Sequence, residues 1–144
     1  MFSSIVVGTD GSETADRALT RALEMARLTG ARLLVVSAYA PAAARVTGGA
    51  PATEAAEWSV GPDFEAEGVL NRAMVRARSE GVEIEVRAPK GDPADAILTV
   101  AAETVADLIV LGSRGMQGAR RVLGSVPNKV SHRAPCDVLI VQTG

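Results

Sequence analysis

The sequence predicts an α/β fold built as one doubly wound, five-stranded parallel sheet with four helices. Five short apolar segments alternate along the chain with four segments of helical periodicity. Strict alternation of strands and helices implies right-handed crossovers, and therefore parallel strands covered by helices on both faces. The chain is 47 % hydrophobic but only 3 % aromatic, so its core consists mainly of Ala, Val, Leu and Ile, as buried parallel strands require. Its length of 144 residues fits a single domain over residues 1–144.

The chain opens with a strand, a polar turn and a helix. Residues Ser4–Gly8 (SIVVG) form an apolar run that ends at glycine, and the polar residues 9–12 can cap a helix that begins near Glu13. Gly30 ends this helix. Its apolar stripe, at helical spacing, consists of Ala15, Ala18, Leu19, Ala22 and Ala26. These small residues allow the helix to lie close to a sheet.

A second apolar strand is predicted over residues 32–39, and the segment 40–61 after it has no sustained period. This segment is rich in Ala, Pro, Gly and Thr, so we interpret it as a flexible insertion. It could serve as a lid or partner surface, or be a disordered excursion. A second helix is predicted from about Asp63 to Ser79, where Gly81 stops it.

The third strand and the third helix follow. Residues 82–88 (VEIEVRA) alternate apolar and charged residues, which indicates a half-exposed strand near a sheet edge. Asp92 and Pro93 are the expected cap and first residue of the third helix. Its predicted buried face consists of Ala94, Ile97, Leu98, Ala101 and Ala102.

The fourth strand, 108–111, leads into a glycine-rich loop that indicates an anion site. The glycines are Gly112, Gly115, Gly118 and Gly124, and Ser125 is the expected cap of a fourth helix over 126–133. Glycines let backbone N–H groups approach a ligand, and the following helix directs the positive end of its dipole at it. The fifth strand is predicted over 137–142.

Charge along the chain agrees with an anion site. The interval between Asp107 and Asp137 contains no acidic residue, although the formal net charge of the chain is -2. Its cations are Arg114, Arg120, Arg121, Lys129 and Arg133. We interpret the pattern as a phosphate site, to which Arg114 could contribute a clamp; a solvated basic loop is the alternative.

The strand order 3-2-1-4-5 is preferred over 2-1-3-4-5. In the preferred order the strand sequence reverses between the first and fourth strands, and ligands of such Rossmann-like sheets bind at that reversal. The polar turn at Gly8, Thr9 and Asp10 would then face the glycine loop that starts at Gly112. The last strand would lie at a sheet edge, where it could pair with a second copy of the chain.

Several classes of function are disfavoured by the composition. One histidine (His132) and one cysteine (Cys136) argue against a His-rich metal site and an internal disulfide. A sequence pI of about 5.4 and scattered aromatics argue against nucleic-acid binding. No apolar run is long enough to cross a membrane and no signal peptide is evident, so a cytoplasmic protein is expected. Asp10 is the one carboxylate in the predicted crevice, so no catalytic residue or metal ligand is assigned.

Three stretches of the chain together resemble the universal stress protein family over essentially its whole length. They are VGTDGSETADRAL near the start, APCDVLIV near the end, and a strand followed by GxxG at Gly112 and Gly115, eight residues, and then Gly124-Ser125. Nucleotide-binding members of that family have nine residues in the spacer. This chain is therefore one residue short, a deletion in the loop.

The resemblance implies adenine-nucleotide binding, to ATP with Mg²⁺ or to AMP or cyclic AMP, with little or no turnover. By position, it places Asp10 at the ribose hydroxyls, Thr9 and Ala38 along the adenine, and Gly112 near the ribose. Phosphate would receive backbone N–H groups from Gly115, Gly124, Ser125 and Val126. Pro127 lacks a backbone N–H and a hydroxyl, which weakens triphosphate binding more than binding of a monophosphate.

The sequence thus favours an adenine-nucleotide-binding stress or signalling protein, acting on a protein partner that it does not identify. A nucleotide-free dimeric interaction scaffold of the same fold is the alternative, favoured by the short spacer and by Pro127. The resemblance also implies a homodimer formed through the C-terminal strand.

Overall fold

The computed structural model describes residues 2–38, 62–113 and 124–142. Within these ranges it contains five strands and four helices, which we number in chain order. They are β1 (Ser4–Gly8), α1 (Glu13–Thr29), β2 (Arg32–Val36), α2 (Pro62–Ser79), β3 (Ile84–Arg87), α3 (Pro93–Glu103), β4 (Leu108–Gly112), α4 (Ser125–Arg133) and β5 (Asp137–Val141). The predicted insertion 40–61 lies outside the described residues.

The five described strands form one parallel sheet in the order β3-β2-β1-β4-β5. This confirms the predicted 3-2-1-4-5 order. At the centre of the sheet, Val7 of β1 is in register with Val35 of β2 on one side and Val110 of β4 on the other. Because β1 and β4 are neighbours in space but not in sequence, the strand order reverses between them. The turns after these two strands therefore meet at the carboxyl edge of the sheet.

Alternate residues of each strand supply two separate cores. Ile5 and Val7 of β1 pack under α1 and α2, whereas Val6 packs on the opposite face, under α3 and α4. The same alternation runs through β2 and β4, as expected for strands with helices on both faces. By contrast, the edge strand β3 is half-buried along its length, as its alternating sequence predicts.

The first helix matches its sequence pattern closely. All residues of its predicted stripe are buried, and Leu23 joins them. The Ser12 hydroxyl accepts the Ala15 N–H at 3.2 Å as the N-terminal cap. Gly30 ends the helix with φ of 74°, a left-handed conformation that favours glycine.

The predicted face of the third helix is wrong on one flank. Ala94, Ile97 and Ala101 are buried as predicted, but Ala102 is exposed and Leu98 is only half-buried. The sheet instead covers the opposite flank, which consists of Ala96 and Val100. An alanine-rich helix is apolar over most of its circumference, so periodicity alone does not fix the rotation of α3 about its axis.

The predicted cap of the fourth helix is also wrong by one residue. Gly124, with an extended backbone (φ -62°, ψ 164°), is the N-cap, and Ser125 is the first residue of the helix with no capping role. The Gly124 carbonyl accepts the Asn128 N–H at 3.0 Å, the first hydrogen bond of the helix. Glycine is an acceptable cap, so the capping preference alone does not decide between it and the adjacent serine.

Asp107 joins the starts of β1 and β4 at the amino edge of the sheet. Its carboxylate accepts the N–H of Ser3 at 2.9 Å and the N–H of Ser4 at 3.1 Å, and it also accepts the Ser3 hydroxyl. Burial raises the pKa of Asp107, but these hydrogen bonds outweigh it, and the pKa lies below its ordinary value. One carboxylate thus fixes the start of β1 beside β4. Among the helices of the described ranges, none has the length and apolarity needed to span a membrane.

Candidate functional site

A cleft lies at the carboxyl edge of the sheet, where the strand order reverses. Its floor is apolar and is formed by the sheet and by α1, α3 and α4. The apolar lining includes Ala15, Val36, Ile97, Leu111 and Pro127. Thr9 and Asp10 supply the polar side chains at one rim. The cleft is partly open to solvent and has a volume of about 160 Å³.

Gly8 leaves room for the apolar floor. A Cβ atom at this position would lie 2.6 Å from Ile97 Cδ1 and 3.1 Å from Leu111 Cδ2, both closer than normal packing. Because Gly8 has no side chain, Ile97 can pack directly against the last residue of β1. The glycine is therefore needed for close packing rather than for an unusual backbone angle.

The β1–α1 turn is fixed by its own side chains. The Thr9 hydroxyl accepts the Gly11 N–H at 3.1 Å, and Asp10 Oδ1 accepts the Ser12 N–H at 2.9 Å. Gly11 has φ of 82°, which a residue with a side chain rarely adopts. The Thr9 N–H also donates to the Val36 carbonyl at 2.9 Å, which attaches the turn to β2. Asp10 is consequently held at the rim of the cleft by the turn, with its side chain exposed.

The start of α4 forms the opposite rim. The Gly124 N–H donates to the Ser113 carbonyl at 3.3 Å, so this contact joins the two ends of the segment 114–123. Val126 and Pro127 line the cleft. Since Pro127 has no N–H, the first-turn N–H donors that remain for a ligand belong to Ser125 and Val126. A helix N-terminus is favourable for an anion because its N–H groups and its dipole act together.

Most of the predicted site residues lie in or beside this one cleft. Thr9, Asp10, Ala38, Gly112 and Val126 line it. Gly124 and Ser125 precede Val126 directly, and Arg114 and Gly115 lie outside the described residues.

The sequence did not indicate that α3 contributes to the site. Pro93 and Ile97 of this helix line the cleft together with α4. Asp92 and Pro93 mark the start of α3 in the sequence, but no local pattern indicates which other helix lies beside it. A long-range contact of this kind has no signal in a single sequence.

The described structure includes only some of the cations that lie between Asp107 and Asp137 in the sequence. Lys129 Nζ lies 2.9 Å from Asp95 Oδ1 and 3.4 Å from Asp92 Oδ2, so its charge is paired with carboxylates of α3. The hydrogen bond to Asp95 raises the pKa of Lys129. Arg114, Arg120 and Arg121 lie outside the described residues.

His132 and Cys136 have local roles away from the cleft lining. The exposed His132 has Nδ1 2.9 Å from the Asn128 carbonyl one turn earlier in α4. Cys136 is half-buried against the core under α3 and α4, and burial raises the pKa of its thiol. Within the described ranges, no group of three or more His, Cys, Asp or Glu side chains could hold a metal ion.

The chain is similar to known proteins over nearly its whole length. The model of the universal stress protein family matches residues 1–142. A universal stress protein of Mycobacterium tuberculosis strain H37Rv is 38 % identical, covering 99 % of this chain and 97 % of the relative.

Two solved structures of similar proteins contain adenine nucleotides. The crystal structure of a universal stress protein in complex with cAMP is 36 % identical, with a TM-score of 0.75 over 99 % of this chain and 98 % of the other. The structure of the universal stress protein from Archaeoglobus fulgidus in complex with dAMP is 30 % identical, with a TM-score of 0.70 over 96 % of both chains.

Proposed function

Because the chain belongs to the universal stress protein family, we propose that its cleft binds an adenine nucleotide in a stress-response or signalling role. The observation that supports this proposal most strongly is the combination of groups that line the cleft. An apolar slot at the strand reversal ends at the N-terminus of α4 on one side and at Asp10 on the other. A nucleotide needs these three features for its base, its phosphate and its ribose.

Each part of the ligand has a candidate partner. The base would lie on the apolar floor beside Thr9 and Ala38, and the ribose near Gly112 with its hydroxyls donating to Asp10. The phosphate would accept the N–H groups of Ser125 and Val126. Gly115, Gly124 and Arg114 belong to the same proposed phosphate site, although the Gly124 N–H already donates to Ser113 in this structure.

Similar proteins favour a nucleotide with a single phosphate. Two of the solved nucleotide complexes, with cAMP and with dAMP, are of proteins that share at least 30 % of their residues with this chain. ATP with Mg²⁺ is also part of the proposal. Pro127 lacks an N–H donor, which weakens binding of a triphosphate more than binding of a monophosphate.

We propose little or no turnover. Among the described residues that line the cleft, Asp10 is the one ionisable side chain, and general acid–base catalysis usually needs a second group. Hydrolysis of ATP at about 1 to 100 per second, the range of kinases, would contradict this part of the proposal.

The test is a calorimetric titration of nucleotide-stripped protein with cyclic AMP, AMP and ATP plus Mg²⁺, repeated on Gly124→Asp. Gly124 has φ of -62°, a backbone conformation that residues with a side chain also adopt, and aspartate is a good N-cap. The helix should therefore remain intact, while the new negative charge repels a phosphate at the first turn. We expect binding with Kd near 1 μM, about -8 kcal/mol, to weaken at least tenfold in the variant.

The matched control is Gly124→Asn, which has the same shape and capping ability but no charge. Asparagine should lose less affinity than aspartate, because both side chains can accept the Val126 N–H as a cap but only aspartate adds a negative charge. Equal losses in both variants would contradict an anion at this helix terminus. If none of the three nucleotides binds the native protein, the nucleotide-free scaffold becomes the preferred function.

The proposal includes a homodimer that forms through β5 and a cytoplasmic location. β5 is an edge strand whose central residues Val138, Leu139 and Ile140 are half-buried. An apolar edge favours pairing with a second copy. The location remains a prediction from the sequence, as does the single domain over residues 1–144.

A further inference from the structure

The second helix packs directly on the turn that carries Asp10. A Cβ atom at Gly11 would lie 2.8 Å from Val69 Cγ2 and 3.3 Å from Arg72 Nη2, so these two side chains of α2 cover the turn. Val69 is half-buried, whereas Arg72 is exposed. The turn between β1 and α1 is therefore held from outside by a second element, in addition to its own hydrogen bonds.

The hydrogen bonds within the turn are exposed to water. The Gly11 N–H donates to the Thr9 hydroxyl, and the Ser12 N–H donates to Asp10, both at the surface. Water competes for such groups, so each of these bonds does little to order the turn. Gly11 adds to the freedom of the chain, because glycine has access to more backbone conformations than other residues. The apolar contact with Val69 is therefore needed to restrict the turn to one arrangement.

Val69 belongs to a helix that is firmly anchored. The buried residues that α2 contributes to the core shared with α1 are Leu70, Ala73 and Ala77. On the outer side of this core, Arg76 of α2 lies 3.4 Å from the Asp16 carboxylate of α1 and also donates to the Thr20 hydroxyl. Val69 directly precedes the first of the buried residues, so its position relative to α1 and the turn is set by these contacts.

Thr9 connects the contact with the cleft. It lines the cleft, and it also lines the depression between α1 and α2 whose wall includes Val69 and Arg72. Asp10, which lies between Thr9 and Gly11 in the sequence, lines the cleft as well. A displacement of Gly11 would therefore move the Asp10 carboxylate relative to a bound ligand.

We infer that Val69 is a positioning residue, whose packing against Gly11 holds the Asp10 carboxylate where it accepts the ribose hydroxyls of the nucleotide. This inference rests on the proposed nucleotide site and names a residue of α2 that sets its recognition of the sugar. Val69 acts through the turn and does not itself contact the ligand. The phosphate donors proposed at Ser125 and Val126 belong to α4, so they should not depend on Val69.

The test compares AMP with dideoxy-AMP, which lacks both ribose hydroxyls, by calorimetric titration. The native protein should bind AMP about tenfold more tightly than dideoxy-AMP, because the hydroxyls donate to a carboxylate. Asp10→Ala should bring this ratio close to one. Val69→Ala should lower it about threefold, because binding must then order the turn. Adding Val69→Ala to Asp10→Ala should change the ratio no further, as expected of two residues that act together.

Two control variants and one measurement without nucleotide separate positioning from a general loss of stability. Val75→Ala makes the same change on α2 at a side chain that is 66 % exposed, so it should leave the ratio unchanged. Val69→Ile keeps a carbon atom at both γ positions and should also have the native ratio. Amide hydrogen exchange of Gly11 and Ser12, measured without nucleotide, should become faster in Val69→Ala but not in the two controls.

Each result supports or overturns the inference. A lower ratio in Val69→Ala, with the native ratio in both controls, supports it. An equal loss of affinity for AMP and dideoxy-AMP, an unchanged ratio, or an equal fall of the ratio in Val75→Ala would overturn it. If Asp10→Ala leaves the ratio unchanged, the inference fails while the nucleotide site stands. If the native protein binds neither nucleotide, the proposed function itself is refuted, and the exchange rates of Gly11 and Ser12 still show whether Val69 holds the turn.

Discussion

At the residue scale, Gly8 allows the apolar side chains of the cleft floor to pack against β1. We expect Gly8→Ala to lower the free energy of unfolding by about 1 kcal/mol, because the new methyl group overlaps the end of the Ile97 side chain and lies close to Leu111. The displaced Ile97 side chain would also narrow the cleft and weaken nucleotide binding. Chemical denaturation and titration of the same variant measure the two effects.

A second substitution distinguishes this steric cause from a loss of backbone freedom. The nearest atom to the new methyl is Ile97 Cδ1, which valine lacks. Gly8→Ala combined with Ile97→Val should therefore cost less than the sum of the two single changes. Simple additivity would mean that the contact with Ile97 is not the source of the destabilisation.

Residue patterns predicted some of these details and missed others. Ser12 as a cap and Gly30 as a helix end follow from local rules that depend on a few neighbouring residues. At α4, both Gly124 and Ser125 satisfy the capping rule, so the rule alone does not decide between them. The role of Gly8 depends on Ile97, which is distant in sequence and has no local signature.

At the scale of elements, Asp107 holds β1 against β4. We expect Asp107→Asn to lower the free energy of unfolding by about 1 kcal/mol at pH 7. This loss is smaller than that for a fully buried hydrogen bond to a charged group, because the site is part-exposed. The amide retains one acceptor but places an NH₂ group against a backbone donor. Urea denaturation at several pH values measures the loss.

The same carboxylate gives stability a defined pH dependence. Its pKa in the folded protein lies below the ordinary value of 3.8. The unfolded chain therefore binds more protons as the pH falls, and the stabilisation is present above about pH 4 and disappears as the pH drops through the folded pKa. The Asn variant should have a flatter stability curve below pH 5. Parallel curves for the two proteins would contradict this role of Asp107.

Strands and helices were predicted well because their periodicities are strong, whereas the rotation of α3 about its axis was not. The alternation in β3 indicates an edge strand, and β3 is at the edge. In α3, the abundance of alanine leaves several faces equally apolar, so the buried flank is decided by packing against the sheet and α4. The contribution of α3 to the cleft was missed because no local pattern indicates which other helix lies beside it.

For the whole molecule, the proposed homodimer makes a prediction about mass in solution. Sedimentation at micromolar concentration should give a species of twice the 14.8 kDa chain mass. Ile140→Lys should shift the equilibrium toward the monomer, because Ile140 is half-buried on the edge strand and belongs to neither core cluster. Leu28→Lys, at an 80 % exposed residue of α1, is the control and should leave the mass unchanged.

A single 14.8 kDa species for the native protein would contradict the dimer. A dimer that persists in Ile140→Lys but not in Leu28→Lys would place the interface away from β5. Either result would leave the nucleotide proposal intact, since the described cleft is formed within one chain.

The strand order could be predicted because two polar, glycine-marked turns had to meet at one edge of the sheet. Gly8 and Gly112 end neighbouring strands β1 and β4, as that reasoning requires. The identity of the ligand could not be predicted in the same way. It depends on distances between elements, such as the approach of α3 to α4, that a single sequence does not specify.

The central claim, a nucleotide in the cleft at the strand reversal, is tested most directly by following backbone amide signals by NMR during titration with AMP. We predict that the signals of Thr9, Asp10, Gly112, Ser125 and Val126 move together with one dissociation constant. Signals of β3, at the far edge of the sheet, should remain in place. Shifts that cluster away from these residues, or no saturable shift up to millimolar AMP, would contradict the claim.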